Sequence, residues 1–207
     1  MSRKSGRPGP PTRRGSTKAI RLELYVFREG LRTEETYLAE WHRRYRDRVL
    51  LTIDPTPAGP LQLVERAIEC KRRETREAKR GRGRAHDQIW CVFDRDDHPS
   101  FDQAMTLAVE NGINVAVSNP CIELWFLLHF QDWTAFIGRR DVQRRAAQLL
   151  GCNKILTDAA LDILCDHYPE AVERAQKLDA KHAGDGSPAG SNPSSSVWLL
   201  IEEIRNA

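Results

Sequence analysis

The stretch "QIWCVFDRDDHPSF", residues 88–101, decides the reading of the fold. Apolar strand-formers run to Phe93, and Asp94, Asp96 and Asp97 follow within four positions. An apolar run of this length, bounded by turn residues, predicts a buried strand, and His98-Pro99-Ser100 predicts the entry to a helix, with Ser100 and Gln103 placed as a capping box. Carboxylates so crowded repel one another unless a cation or basic groups offset them. A positive partner is therefore expected where this strand ends.

Outward from that strand the same alternation recurs. "LELYVF" (22–27) predicts a strand that stops at "REG", where Gly30 punctuates, and "TEETYLAEWHRRYRDR" predicts a helix with Thr33 as cap. Its acids lie in the first turn and its bases in the last, as the helix dipole favours. "VLLTI" (49–53) predicts a second strand, and Leu61, Val64, Ala67 and Ile68 keep helical spacing in the long segment after it. "INVAVS" predicts a fourth strand, ahead of the buried helix "NPCIELWFLLHF". Four strand-helix pairs imply right-handed crossovers and an α/β fold, a mainly parallel four-stranded sheet flanked by helices. Beyond residue 131 the pattern is helical only, with Thr157 as a cap and Pro169 in a first turn. "AGDGSPAGSNPSSS" reads as a flexible loop before a last helix. The expected organisation is a basic tail over 1–20, disordered by composition, an α/β core over 21–131, and an all-helical cap over 132–207 packed on it.

Composition narrows the class. A chain of 207 residues suits one domain with appendages. No apolar run reaches the roughly 18–20 residues of a membrane span and no apolar signal region follows the basic N-terminus, so a cytoplasmic location away from membranes is expected. Five cysteines, widely spaced and without a CxxC pair, indicate neither a disulfide framework nor a zinc knuckle. The net charge of +3 conceals an uneven distribution. Residues 1–21 hold seven bases and no acid. Residues 70–84 hold eight bases (Lys71, Arg72, Arg73, Arg76, Lys79, Arg80, Arg82 and Arg84) against Glu74 and Glu77. These stretches sum to +13, which leaves −10 for the rest. A polyanion such as DNA or RNA, gripped by the basic stretches and processed at the acidic body, fits that division; solvated arms and helix faces are the plainer alternative.

In an open parallel sheet, ligands bind at the carboxyl ends of the strands, near the point where strand order reverses. Glu29, Asp54, Asp94 with Asp96, and Asn119 follow the four predicted strands at that edge. Carboxylates from separate strand ends, without a surplus of Cys or His, make a hard oxygen-donor set suited to Mg²⁺ or Mn²⁺.

A strand-EG turn followed about 65 residues later by strand-DxD resembles the Toprim domain. That resemblance implies metal-dependent phosphodiester chemistry, with Glu29 as the family's glutamate, Asp94 and Asp96 as its DxD pair, and Glu34 as the further acid of the nuclease branch. "SNPCIELWFLLHF" (118–130), with "VFDRDDH" before it and "NPSSSV" (192–197) near the far end, resembles the RloB-like family more specifically, over residues 22–205. Ile122 stands where that family's string leads us to expect an aromatic. The resemblance implies a Toprim-related protein of prokaryotic defence loci, with an ABC-type ATPase as partner.

Several side chains keep two readings. Glu34 supports an ion or is a dipole-favoured first-turn acid. Glu123 is a ligand or an ordinary acid at a helix start. His98 and His129 assist the site as bases or neighbours, or serve a helix entry and the core respectively. Asn119 supports the acids from the fourth strand. Arg28, Arg32 and Arg95 bind phosphate or balance charge. Trp125, Trp133 and Trp198 are read as core. The leading functional expectation is a metal-dependent nuclease acting on DNA or RNA, transfer RNA included, as effector of an anti-phage or abortive-infection system. The alternatives are a nucleic-acid-binding subunit of an ATPase-containing defence complex and a different phosphotransfer enzyme. The chain is too short for topoisomerase gates, and it has no GxxxxGK[ST] phosphate loop for a nucleotide kinase.

Overall fold

The computed structural model describes residues 21–95, 98–153 and 155–207. The expected basic tail (1–20) and Asp96 lie outside them. The core alternates as the pattern predicts: β1 (Leu22–Arg28), α1 (Thr33–Tyr45), β2 (Val49–Ile53), α2 (Pro60–Lys79), β3 (Gln88–Asp94), α3 (Phe101–Asn111), β4 (Asn114–Asn119) and α4 (Ile122–Leu128). Then come α5 (Arg139–Leu150), α6 (Asp158–Asp166), α7 (Tyr168–Asp185), β5 (Ser194–Ser195) and α8 (Val197–Asn206).

The sheet order is β2-β1-β3-β4-β5. Pairs β1–β2, β1–β3 and β3–β4 are parallel, and β4–β5 is antiparallel. The chain steps from β1 to one side for β2 and returns past β1 for β3, so strand order reverses between β1 and β3. Carboxyl-end ligand sites form at such a reversal.

Alternation along each strand divides the core into two layers. Leu24, Val26, Trp90, Val92 and Ala116 face the layer that contains α1, α4 and the C-terminal helices. Phe27, Ile89, Cys91 and Phe93 face α2 and α3, against Leu63, Val64, Ala67, Ala104 and Ala108. Leu161, Leu164, Tyr168, Leu178, Leu200 and Ile204 of α6–α8 belong to the same apolar cluster as the first strand face. All five cysteines are free, and Cys70, Cys91 and Cys121 are buried. Among the described residues, no helix is long and apolar enough to cross a membrane.

Four expectations are corrected. The sheet has five strands rather than four, and the C-terminal extension is not all helical, because Ser194–Ser195 adds an edge strand. Ser and Gly carry little strand propensity, so composition alone reads the segment as a loop. Its structure comes from the unpaired edge of β4: Ser196 N donates to Val117 O at 2.8 Å, and the Ser118 and Ser195 hydroxyls meet at 2.8 Å. The capping box at Ser100 does not form, since Ser100 is the N-cap of α3 but its side chain makes no cap bond. Thr33 is the first residue of α1 rather than its cap, and Arg32 holds the cap position. Thr157 does cap α6, accepting from Ala160 N, and Gly112 closes α3 in the left-handed conformation.

Candidate functional site

The turn after β1 sets the first acid. Glu29 N donates to Val92 O at 3.0 Å, which extends the β1–β3 ladder one residue past the strand. The Glu29 carboxylate crosses to the neighbouring strand, where Oε2 accepts from Asp94 N at 3.1 Å and Oε1 meets His98 Nε2 at 3.0 Å. Residues 65 positions apart thus share one hydrogen bond at the sheet reversal. Gly30 follows in close quarters: a Cβ built there would lie 1.8 Å from Glu34 Oε2. Its N–H donates to Glu34 Oε1 at 3.1 Å, so Glu34 folds back over the turn and is 5% exposed.

Asp94 ends β3 at 6% exposure. Ile122 N at the start of α4 donates to Oδ1 at 2.9 Å, and an Arg139 guanidinium nitrogen lies 3.3 Å from Oδ2. Burial pushes the Asp94 carboxyl well above the ordinary carboxylate value, and the Glu34 and Glu29 charges push it further, with Arg139 offsetting part of the effect. Glu34 is raised too, by burial first and then by the Glu123 and Glu29 charges. Glu123, half-buried in the first turn of α4, acts on Asp94, Glu34 and Cys121. Burial raises the Cys121 thiol, and the Glu123 and Asp94 carboxylates raise it further, so it offers no thiolate. Four carboxylates from four segments therefore lie within one another's field, and two of them carry a free-energy cost for being charged.

Those donors match a hard divalent cation in chemistry: carboxylate oxygens, with no thiolate among them. Among the described residues, no three His, Cys, Asp or Glu side chains already stand as one metal-holding group. Asp96, expected as the second acid of the pair, lies outside the described residues. Arg139 and His98 stand against two of the acids.

The remaining expected residues distribute as follows. Asp54 reaches the carboxyl edge, but on the far side of β1, where it accepts from Arg66, Thr56 N and the Tyr25 hydroxyl. Arg28, expected on phosphate, is 2% exposed; it donates to Gly30 O at 2.7 Å and pairs with Glu35, so it braces the turn from inside. Arg32 is exposed. Arg95 donates to Gly190 O at 3.0 Å and stacks over Phe101. Asn119 Nδ2 also donates to Gly190 O, at 2.8 Å.

His129 is buried at the end of α4, its Nδ1 paired with Trp125 O at 2.8 Å. Burial lowers its pKa to about 3, and its charged neighbours are His167 and Arg174 rather than the acids. It is a core histidine. Trp125 is fully buried and donates to the Tyr37 hydroxyl, while Trp133 and Trp198 pack at the core margin.

The basic run lies apart from the acids. Helix α2 leaves the carboxyl end of β2 and delivers the chain to the start of β3, so it runs against the strands over 20 residues, or about 30 Å. Arg76, Lys79, Arg80, Arg82 and Arg84 accordingly lie toward the amino edge, away from the acids. Lys71 donates to Asn111 O and Gly112 O at 2.8 and 2.7 Å, and Arg72 to Asn111 Oδ1, which closes the end of α3. Arg73 leans on the Cys70 sulfur and Arg80 on Glu77.

Arg139 is the residue that sequence reading missed. One signal was available: Arg139 and Arg140 occupy the first turn of α5, where the helix dipole disfavours cations. A base in that position needs an acid to face, and Asp94 is that acid.

Comparison with protein families gives a match to the family described as RloB-like protein, over residues 24–204. A search of curated proteins finds no match.

Proposed function

The chain belongs to the RloB-like protein family, and from that premise we propose that it is a metal-dependent nuclease with a Toprim-like core. Its cation, Mg²⁺ or Mn²⁺, would be held by Glu29 and Asp94, with Glu34, Glu123 and Asp96 completing the acidic set. One observation carries this reading. Four carboxylates gather where strand order reverses, and burial first, then their mutual charge, raises the Asp94 and Glu34 pKa values. Buried charge of one sign is costly unless a cation relieves it.

A divalent ion bound there supplies Lewis acidity toward a phosphoryl oxygen and lowers the pKa of water. The chain's own groups do the rest. Ile122 N fixes one Asp94 oxygen, and Gly30 N fixes one Glu34 oxygen, so neither carboxylate needs to reorganise. His98, bonded to Glu29, is placed to hold or release a proton at Nε2. Arg139 pairs with Asp94 and is suited to re-pair with an incoming phosphate. As a cytoplasmic effector of an anti-phage system, such a nuclease would work beside an ABC-type ATPase partner.

Purified protein incubated with plasmid and total RNA, with and without Mn²⁺ and beside Asp94→Asn, tests the reading. Metal-dependent cutting lost in the variant supports it. Absence of both cutting and Mn²⁺ binding by calorimetry, in the presence of the ATPase partner, overturns it. The Arg139–Asp94 pair favours a second reading, in which the arginine is a permanent counter-charge and the chain is the nucleic-acid-binding subunit of an ATPase complex. Salt-sensitive binding without cutting or metal uptake is its expected result.

A further inference from the structure

Beside the acids, on the β4 side, lies a cavity of ≈ 480 Å³ bordered by Arg95, Asn119, Phe136, Arg139 and Asn192 among others. That volume is in the range of small-ligand pockets. One of its borders belongs to the acidic site, since Arg139 reaches Asp94. A ligand group on Arg139 would therefore sit between the cavity and the carboxylates.

Phe136 is 78% exposed, the most exposed large apolar side chain among the described residues. A solitary surface apolar residue needs no explanation, but the backbone beside this one is held in place. Ile137, its neighbour, is buried with Leu124, Leu127 and Val142. Asn192 clamps Ile137 from both sides of its peptide, accepting from Ile137 N at 3.0 Å and donating to Ile137 O at 2.9 Å. The backbone is thus fixed at the residue that follows an aromatic ring facing solvent at a cavity mouth. Arg95 is braced as well, by Gly190 O and by the Phe101 ring.

An exposed aromatic face on a fixed backbone, beside two arginines, matches two parts of one nucleotide: a base to stack and a phosphate to pair. A base inside a duplex has both faces covered by its neighbours, so only an unstacked one can use the ring. We propose that Phe136, Arg95 and Arg139 form a subsite for one unstacked nucleotide of a single-stranded nucleic acid, base on Phe136 and phosphate between the arginines. The proposal rests on the nuclease reading only in taking nucleic acid as the ligand.

The test uses the full chain in EDTA, where binding is read apart from cleavage. The probes are fluorescein-labelled oligothymidylate and oligouridylate of about ten nucleotides and a duplex of equal length. Fluorescence anisotropy is expected to show tighter binding of single strands than of duplex. Phe136→Ala is expected to weaken single-strand binding about tenfold, Phe136→Trp to retain it, and the exposed Val109→Ala on α3 to leave it unchanged. A 2-aminopurine base in the oligonucleotide should be quenched by the wild-type protein and not by Phe136→Ala. Melting temperatures equal to wild type exclude a folding effect. Equal single-strand affinity of Phe136→Ala and wild type overturns the subsite, as does a preference for duplex or no binding at all. Binding as expected, with neither metal-dependent cutting nor Mn²⁺ binding in the separate assay with the ATPase partner, overturns the nuclease reading and leaves the subsite standing.

Discussion

The two edges of one sheet carry charge in opposite ways. At the carboxyl edge, Asp94 and Glu34 are almost wholly buried beside Glu29 and Glu123. At the amino edge, the bases of α2 and the loop after it point into solvent. Exposed charges cost little in water, so a basic helix face says little about purpose. Buried charges of one sign disfavour folding, and a fold that keeps them holds them for another reason. The smaller cluster is therefore the more informative, although the larger one dominates the composition.

Substitution at Asp94 should divide the edges most sharply. Asp94→Asn is expected to lower metal-dependent cutting about a hundred- to thousandfold and yet to raise the melting temperature by about 2–4 °C at neutral pH. The sign follows from the direction of the shifts. A carboxyl whose pKa is raised on folding favours the folded state when protonated, and that contribution is lost as pH rises from about 4 through the raised value. The wild-type protein without divalent ions should lose stability over that window, and the variant should lose less, as calorimetric scans across pH would record. A variant less stable than wild type at neutral pH would mean that the Arg139 pair outweighs the crowding.

Gly30→Ala comes next. Its Cβ would displace the Glu34 carboxylate, and a loss of about tenfold in cutting with little change in melting temperature is expected. Joint replacement of Arg76, Lys79 and Arg80 by alanine should act at the other edge alone. Weaker binding and a shallower salt dependence, by about 0.9 for each phosphate no longer neutralised, are expected, with the single-turnover rate at saturating substrate unchanged. A fall in that rate would show that the edges are coupled. The smallest effect belongs to Lys71→Met, which removes the cation from the end of α3 and should cost about 0.3–1 kcal/mol in denaturant unfolding.

Sequence reading reached the elements whose causes are local. Alternating apolar residues marked β1 to β4, and the placement of Glu29 and Asp94 just past apolar runs put them at one edge before any distance was known. It failed where the cause lies elsewhere in the chain. Ser194 and Ser195 become a strand because β4 offers an open edge, and nothing in two serines announces that. Asp54 carries the same local cue as Asp94, but Arg66 and Tyr25 absorb it. The basic run of α2 was legible as a run, whereas its distance from the acids follows from helix direction and length. Arg139 faces Asp94 because α5 packs beside α4, a fact of docking rather than of local pattern.

The short antiparallel pairing at Ser194–Ser195 has a consequence in time. Glu29, Glu34, Asp94 and Glu123 all leave the ribosome before residues 190–196, which supply the outer wall beside Asn119 and tie it to the edge strand. A nascent polypeptide halted before that stretch holds the acids but lacks the outer wall of the cavity beside them. If the activity is one a cell must keep in check, the order of synthesis already withholds it from truncated products.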